Sequence, residues 1–102
     1  MNIAVIVGVL VGNAVVRGKK TRALVFTVVT QQPNGETEGL VSHVPCVVFN
    51  PPPEMEKLLT TDGKDKHVEL QGRISSSRFE ANGEPRSNAE VIVFTKTLKL
   101  GS

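Results

Sequence analysis

The stretch 67-HVELQGRISSSR-78 decides the fold of this 102-residue chain. Apolar residues and glycine occupy alternate positions (Val68, Leu70, Gly72 and Ile74), and polar side chains fill the positions between them. A period of two is typical of a β-strand with one face in a core and the other in water. The stretch therefore predicts a strand over residues 67–78.

Four more segments are rich in Val, Ile and Thr, the composition of strands; they span residues 3–11, 23–30, 40–49 and 89–100. The first is apolar on both parities, which predicts burial on both faces or a place in two sheets. Arg17–Lys20 and Pro33–Glu36 have the composition of turns, and Asn82-Gly83 is a strong hairpin signal. We expect long loops between strands two and three and between strands four and five.

One helix is predicted, between strands three and four. The prolines at 51–53 prevent the strand from continuing and suit a first helical turn. Met55, Leu58 and Leu59 then form a short apolar stripe at helical spacing. The order β-β-β-α-β-β is that of the oligonucleotide-binding (OB) barrel, a small closed sheet. We predict an all-β, five-stranded OB-fold barrel that forms a single domain over residues 1–102, with bends at Gly8 and Gly72.

Composition and spacing argue against an enzyme. Cys46 is the only cysteine, so no internal disulfide can form and a reducing compartment is expected. His43 and Cys46 lie three apart in a strand and point to opposite faces, which argues against a nucleophile pair. No phosphate-binding or nucleophile-elbow motif is present, and no apolar stretch approaches the ~20 residues needed to cross a bilayer. We expect no catalysis, no metal, no cofactor and no membrane partner.

The order of these segments resembles a known family. Residues 2–10 are similar to the opening strand of the bacterial single-stranded DNA-binding proteins (SSB), and residues 42–50, 67–79 and 89–93 are similar to the third, fourth and fifth strands. The primosomal PriB proteins, of similar length, share this barrel. The resemblance implies binding of single-stranded DNA largely without sequence preference, in replication, restart, recombination or repair. It also implies a homodimer or homotetramer, replication or restart proteins as partners, and the cytoplasm and nucleoid of a bacterium.

Two departures from the SSB pattern bear on function. That family ends in an acidic tail, whereas this sequence ends at Gly101-Ser102, which leaves open both a tailless branch and a shortened chain. The family stacks bases mainly on tryptophan, and this chain has no Trp, no Tyr and four Phe. Two alternatives therefore stay open, an OB-fold protein-interaction module with weak nucleic-acid binding, and binding of RNA in place of DNA.

Three flat side chains are candidates for stacking. Phe79 lies among Ser, Arg and Glu, where nothing apolar would bury it, and it matches a stacking aromatic of the family. Phe49 matches another, although its neighbours Val47 and Val48 make a core role equally open. His43 matches a tryptophan position, with a plain exposed histidine as the equal alternative. The remaining Phe26 and Phe94 lie in apolar strands and are expected in the core.

Basic side chains form the second part of the predicted binding site, because they can neutralise phosphates. They group around the first turn, on the polar face of strand four and around the last loop; the candidates are Arg17, Lys19, Lys20, Arg22, Arg73, Arg78 and Arg86. The net charge is only +2, so the position of these charges carries more information than their sum.

Overall fold

The computed structural model describes residues 2–18, 20–31 and 41–101, with side chains at all of these except 31, 41 and 77–79. In chain order the elements are β1 (Ala4–Leu10), β2 (Val15–Arg17), β3 (Ala23–Gln31), β4 (Val41–Phe49), α1 (Pro53–Asp62), β5 (His67–Ala81), β6 (Glu84–Val93), a 3-10 helix (Thr95–Thr97) and β7 (Lys99–Gly101). Strands dominate and one α-helix follows β4, as the sequence predicts.

Strand β1 closes the sheet into a barrel. It pairs with β5 from Ala4↔Gly72 to Val9↔His67 and then with β3 through Val9↔Val29. The ring continues from β3 to β4, from β4 to β6 by a short parallel pairing, and from β6 back to β5. The predicted five-stranded OB barrel is confirmed. The expectation that the first strand is buried on both faces or belongs to two sheets is wrong: β1 lies in one sheet, and Val5 and Val7 on its outward side are 60% and 61% exposed.

The interior is filled by side chains of one parity from each strand. The fully or nearly buried members are Leu10, Ala14, Leu24, Phe26, Val28, Cys46, Val48, Leu59, Val68, Leu70, Val91 and Val93. Helix α1 contributes Leu59 to this cluster. The amide of Ala14 donates a hydrogen bond of 2.8 Å to the Leu59 carbonyl, which ties the helix to the segment that follows β1. The helix therefore closes one end of the barrel.

Two glycines mark places where strands pass very close to each other. A Cβ on Gly72 would overlap the Ile92 carbonyl oxygen and lie 2.7 Å from Cγ1 of Val91. A Cβ on Gly8 would overlap the Val29 carbonyl oxygen in the same way. The sequence predicts bends at these glycines, and the close approach of neighbouring backbones supplies the physical reason that no side chain fits.

Three boundaries differ from the sequence prediction. Strand β2 is an addition, since three residues are too few to show an alternation. The loop expected between strands four and five is a two-residue turn: Asn82 and Gly83 have φ of 54° and 79°, and the strands pair up to Ala81↔Glu84. Positive φ at both residues is typical of a type I′ hairpin, whose twist matches that of the strands. The predicted fifth strand over 89–100 is interrupted by the 3-10 helix.

The interruption after β6 has a clear cause in hydrogen bonding. The Thr97 hydroxyl lies 2.6 Å from the Phe94 carbonyl and 3.0 Å from the Gln71 carbonyl, and it accepts a bond of 2.9 Å from the Gln71 amide. A threonine hydroxyl that bonds nearby backbone groups competes with a continued ladder. The chain therefore turns at 95–97 before β7 pairs with β5.

Candidate nucleic-acid interface

The outward face of the barrel is apolar at its centre. In paired strands, residues in register point to the same face, and the pairings align Val15 with Val25, Val25 with Val47, Val47 with Ile92 and Ile92 with Arg73. This row crosses β2, β3, β4, β6 and β5. Its members have the parity opposite to that of the interior cluster. We call the outward side of these five strands the sheet face.

Phe49 stands exposed on the sheet face. Its side chain is 44% exposed, and its parity is opposite to that of Val48 in the interior cluster. Val47 has the same outward parity as Phe49 but is itself buried, at 5% exposure. Phe49 pairs with Ala23, and Ala23 pairs with Arg17 on the next strand. Because strands lie ~4.8 Å apart, the backbones of Arg17 and Phe49 are ~10 Å apart, with only a methyl group between them. A flat ring and a cation thus occupy one row.

His43 lies on the same strand and the same face. It is exposed and pairs with Val29. Six residues separate it from Phe49, which corresponds to ~20 Å along β4. The two side chains therefore lie along one face of one strand, and their stacking roles remain predictions.

The hairpin formed by β5 and β6 carries three more of the predicted binding residues, Arg78, Phe79 and Arg86. Residues 82–89 are all exposed, so this hairpin projects from the barrel, and we call it the arm. Arg86 is exposed on the arm, with its guanidinium 4.0 Å from Glu84. The backbone of Phe79 pairs with Arg86. The side chains of Phe79 and Arg78, and residue Lys19, lie outside the described residues, and their roles remain predictions.

The other basic candidates divide into two groups. Arg17, Lys20 and Arg73 are exposed, and Arg73 and Arg17 belong to the sheet face. Arg22 instead forms a two-point ion pair with Glu56 of α1, through its Nε and through its Nη2 at 2.9 Å. The hydrogen bond with Arg22 lowers the pKa of the Glu56 carboxyl and raises the pKa of the Arg22 guanidinium. The structure directs Arg22 to the helix rather than to the row of Phe49.

Phe26 and Phe94 are both predicted in the core, but the structure buries only one of them. Phe26 is buried in the barrel, as predicted. Phe94 is 40% exposed, so the core prediction for it is wrong. The physical reason is parity, since Val91 and Val93 point inward and Phe94 shares the outward parity of Ile92 and Glu90. The glutamate at 90 is the signal in the sequence that could have placed Phe94 outside.

Cys46 is part of the core and has no reactive character. Its side chain is fully buried, and Sγ donates a hydrogen bond of 3.6 Å to the Val44 carbonyl. Burial raises the pKa of the Cys46 thiol to about 12, so the thiol is protonated at neutral pH. His43 points outward and Cys46 inward, as the spacing predicts, and the two cannot act together.

Within residues 2–18, 20–31 and 41–101, no group of three or more His, Cys, Asp or Glu side chains is placed to hold a metal ion. In the same ranges, no helix has both the length and the apolar character needed to cross a membrane.

Comparisons with known proteins agree with the fold. No protein-family model and no curated protein matches the sequence. The crystal structure of Rim1, the mitochondrial single-stranded DNA-binding protein of S. cerevisiae, superimposes with a TM-score of 0.75 at 19% identity, over 96% of this chain and 92% of that one. Plasmodium falciparum SSB, in complex with single-stranded DNA, gives a TM-score of 0.75 at 15% identity, over 98% of this chain and 92% of that one. The chain thus has the OB fold in the form seen in these single-stranded DNA-binding proteins.

Proposed function

We propose that this protein binds single-stranded DNA largely without sequence preference, and that it does so as an SSB-like or PriB-like protein in replication, restart, recombination or repair. The observation that carries the proposal is the exposure of Phe49 on the sheet face, in one row with Arg17. Sequence-tolerant binding of unpaired strands needs flat rings for the bases and cations for the phosphates. Both are present on one surface.

The fold of the two similar structures supports the same function, since both are named as single-stranded DNA-binding proteins and one holds single-stranded DNA. We further propose that the chain acts by binding and not by catalysis, because its lone cysteine is a protonated core residue. From the family resemblance we place its action in the cytoplasm and nucleoid of a bacterium, with replication or restart proteins as partners.

A titration with labelled oligonucleotides tests the proposal. Fluorescence anisotropy of labelled poly-dT, poly-rU and duplex DNA should show the tightest binding for poly-dT, because a duplex keeps its base faces stacked internally. Tight binding to poly-rU alone would establish the RNA alternative. Absence of binding to all three would favour the protein-interaction module and overturn the proposal.

The dependence on salt should identify the cations involved. Each lysine or arginine that contacts a phosphate contributes roughly one to the slope of log affinity against log salt. We expect Arg17→Ala and Arg73→Ala each to reduce this slope by about one. Lys57→Ala, an equal change of charge on the exposed side of α1, is the control and should leave the slope almost unchanged. An unchanged slope in both Arg17→Ala and Arg73→Ala would mean that these residues of the sheet face do not contact the backbone of the DNA.

We also propose that the protein assembles as a homodimer or homotetramer. The outward residues of β1 include Val5 and Val7, which are 60% and 61% exposed. Apolar side chains in adjacent outward positions of one strand leave a surface that a second subunit would remove from water. Light scattering at micromolar concentration should give a multiple of the 11.0 kDa chain mass. A mass of 11.0 kDa at that concentration would show that the protein is a monomer.

A further inference from the structure

Phe94 combines an exposed ring with a firmly held backbone. Its amide donates a hydrogen bond of 2.8 Å to the Gln71 carbonyl, and its carbonyl accepts bonds from the Thr97 amide at 2.8 Å and from the Thr97 hydroxyl at 2.6 Å. Both backbone groups of Phe94 are therefore satisfied by neighbours on two elements. A ring on such a backbone loses little freedom when it binds a partner, and this pre-organisation favours affinity.

Phe94 and Phe49 lie at the same end of two paired strands. The parallel pairing of β4 with β6 aligns Cys46 with Val91 and Val47 with Ile92. Phe49 and Phe94 each lie two residues beyond the last aligned pair, and Phe94 directly follows the end of β6. Both side chains have the outward parity. The two rings, 44% and 40% exposed, therefore lie on the outward side at the same end of neighbouring strands.

Three exposed cations lie in the strands and turn near these two rings. Arg17 lies in the row of Phe49, Arg73 pairs with Ile92 two residues before Phe94, and Lys96 is exposed two residues after it. Two carboxylates share the outward side. Glu90 lies four residues back, ~13 Å along β6, and the exposed Glu69 lies on β5 two residues from Gln71, whose carbonyl accepts the Phe94 amide. Exposed rings bordered by cations are complementary to bases joined by phosphates, and less so to an apolar protein surface.

We propose that Phe94 forms a second stacking platform next to Phe49, and that the two rings receive neighbouring bases of one unpaired strand. This inference rests on the proposed function and adds a binding residue that the resemblance does not supply. It also compensates for the absence of tryptophan, because two adjacent phenylalanines offer the ring area that one larger side chain would.

A single-tryptophan variant tests the inference directly. The chain has no Trp and no Tyr, so Phe94→Trp places the only indole at this position. We expect its emission to be strongly quenched as oligo-dT is added, in step with the anisotropy of the labelled oligonucleotide. Leu58→Trp, on the exposed side of α1, is the control and should keep its emission. Unchanged emission from Phe94→Trp while anisotropy reports bound DNA would overturn the inference and leave the proposed function intact.

Truncation provides a second measurement that does not need the indole. Phe94→Ala should lower the affinity for oligo-dT by roughly 5- to 150-fold, the loss of one stacked base. Phe94→Leu keeps an apolar side chain without the flat ring and should lose nearly as much. Wild-type affinity in both variants would remove Phe94 from the interface. If the unmodified protein itself bound no oligonucleotide, the proposed function and this inference would fall together.

Discussion

Replacement of Leu59 by alanine is expected to lower the free energy of unfolding by about 2–5 kcal/mol. Leu59 is the side chain of α1 that is fully buried. The carbonyl of Leu59 also accepts a hydrogen bond from the amide of Ala14. Truncation would remove its methyl groups from the core cluster and leave a cavity at the end of the barrel. The surrounding strands are joined by ladders on both sides and have little freedom to fill that cavity.

Leu58→Ala is the matched control for this prediction. The two leucines are adjacent in the same helix and lose the same atoms on truncation, but Leu58 is 36% exposed. We expect Leu58→Ala to cost roughly 0.5 kcal/mol or less, as surface substitutions usually do. Urea denaturation of both variants measures the difference. Equal losses would show that α1 does not close the barrel through Leu59.

Phe49→Ala is expected to weaken oligo-dT binding by ~1–3 kcal/mol, or roughly 5- to 150-fold. The ring is the exposed aromatic side chain of β4, in one row with Arg17. Its loss would remove a stacking surface without opening the core, since the ring points away from the buried Val48. The free energy of unfolding should therefore change much less than it does in Leu59→Ala.

Two further substitutions separate stacking from packing at Phe49. Phe49→Trp keeps a flat ring and should retain or increase the affinity, whereas Phe49→Leu keeps the apolar character alone and should resemble Phe49→Ala. Anisotropy titrations at one fixed salt concentration make these comparisons, because the phosphate contribution depends on salt. A leucine variant that binds as tightly as the wild type would mean that Phe49 serves as an apolar contact and not as a stacking platform.

The two exposed phenylalanines show how much of the candidate site can be predicted from the sequence. The sequence leaves Phe49 open between core and surface, because the run of Val47, Val48 and Phe49 has no polar residue to mark the parity. Register with Ala23 and Arg17 places Phe49 on the outward side. The sequence predicts Phe94 in the core because it lies in an apolar strand. Because this segment pairs with β5 as a strand, its side chains alternate between the two faces, and only Val91 and Val93 point into the barrel.

The basic side chains show a limit of a different kind. Arg22 belongs by sequence to the same cluster as Arg17 and Lys20. In the fold, the helix that follows β4 brings Glu56 to it, 34 residues away along the chain. An ion pair between distant segments depends on the path of the chain, which local composition does not contain. The carboxylate of Glu56 would compete with a phosphate for Arg22. Only the folded chain shows that the two residues meet.

The sequence by itself determined the strand-rich composition, the strand order, the helix between the third and fourth predicted strands and the inward parity of β5. Each follows from local chemistry, because alternation, proline and Asn-Gly act over a few residues. The tertiary structure alone decided which rings of the other strands face water, which cations remain available for phosphate, and that the last hairpin extends as an arm. Those properties depend on register across a closed sheet, where a shift of one residue moves every side chain to the opposite face.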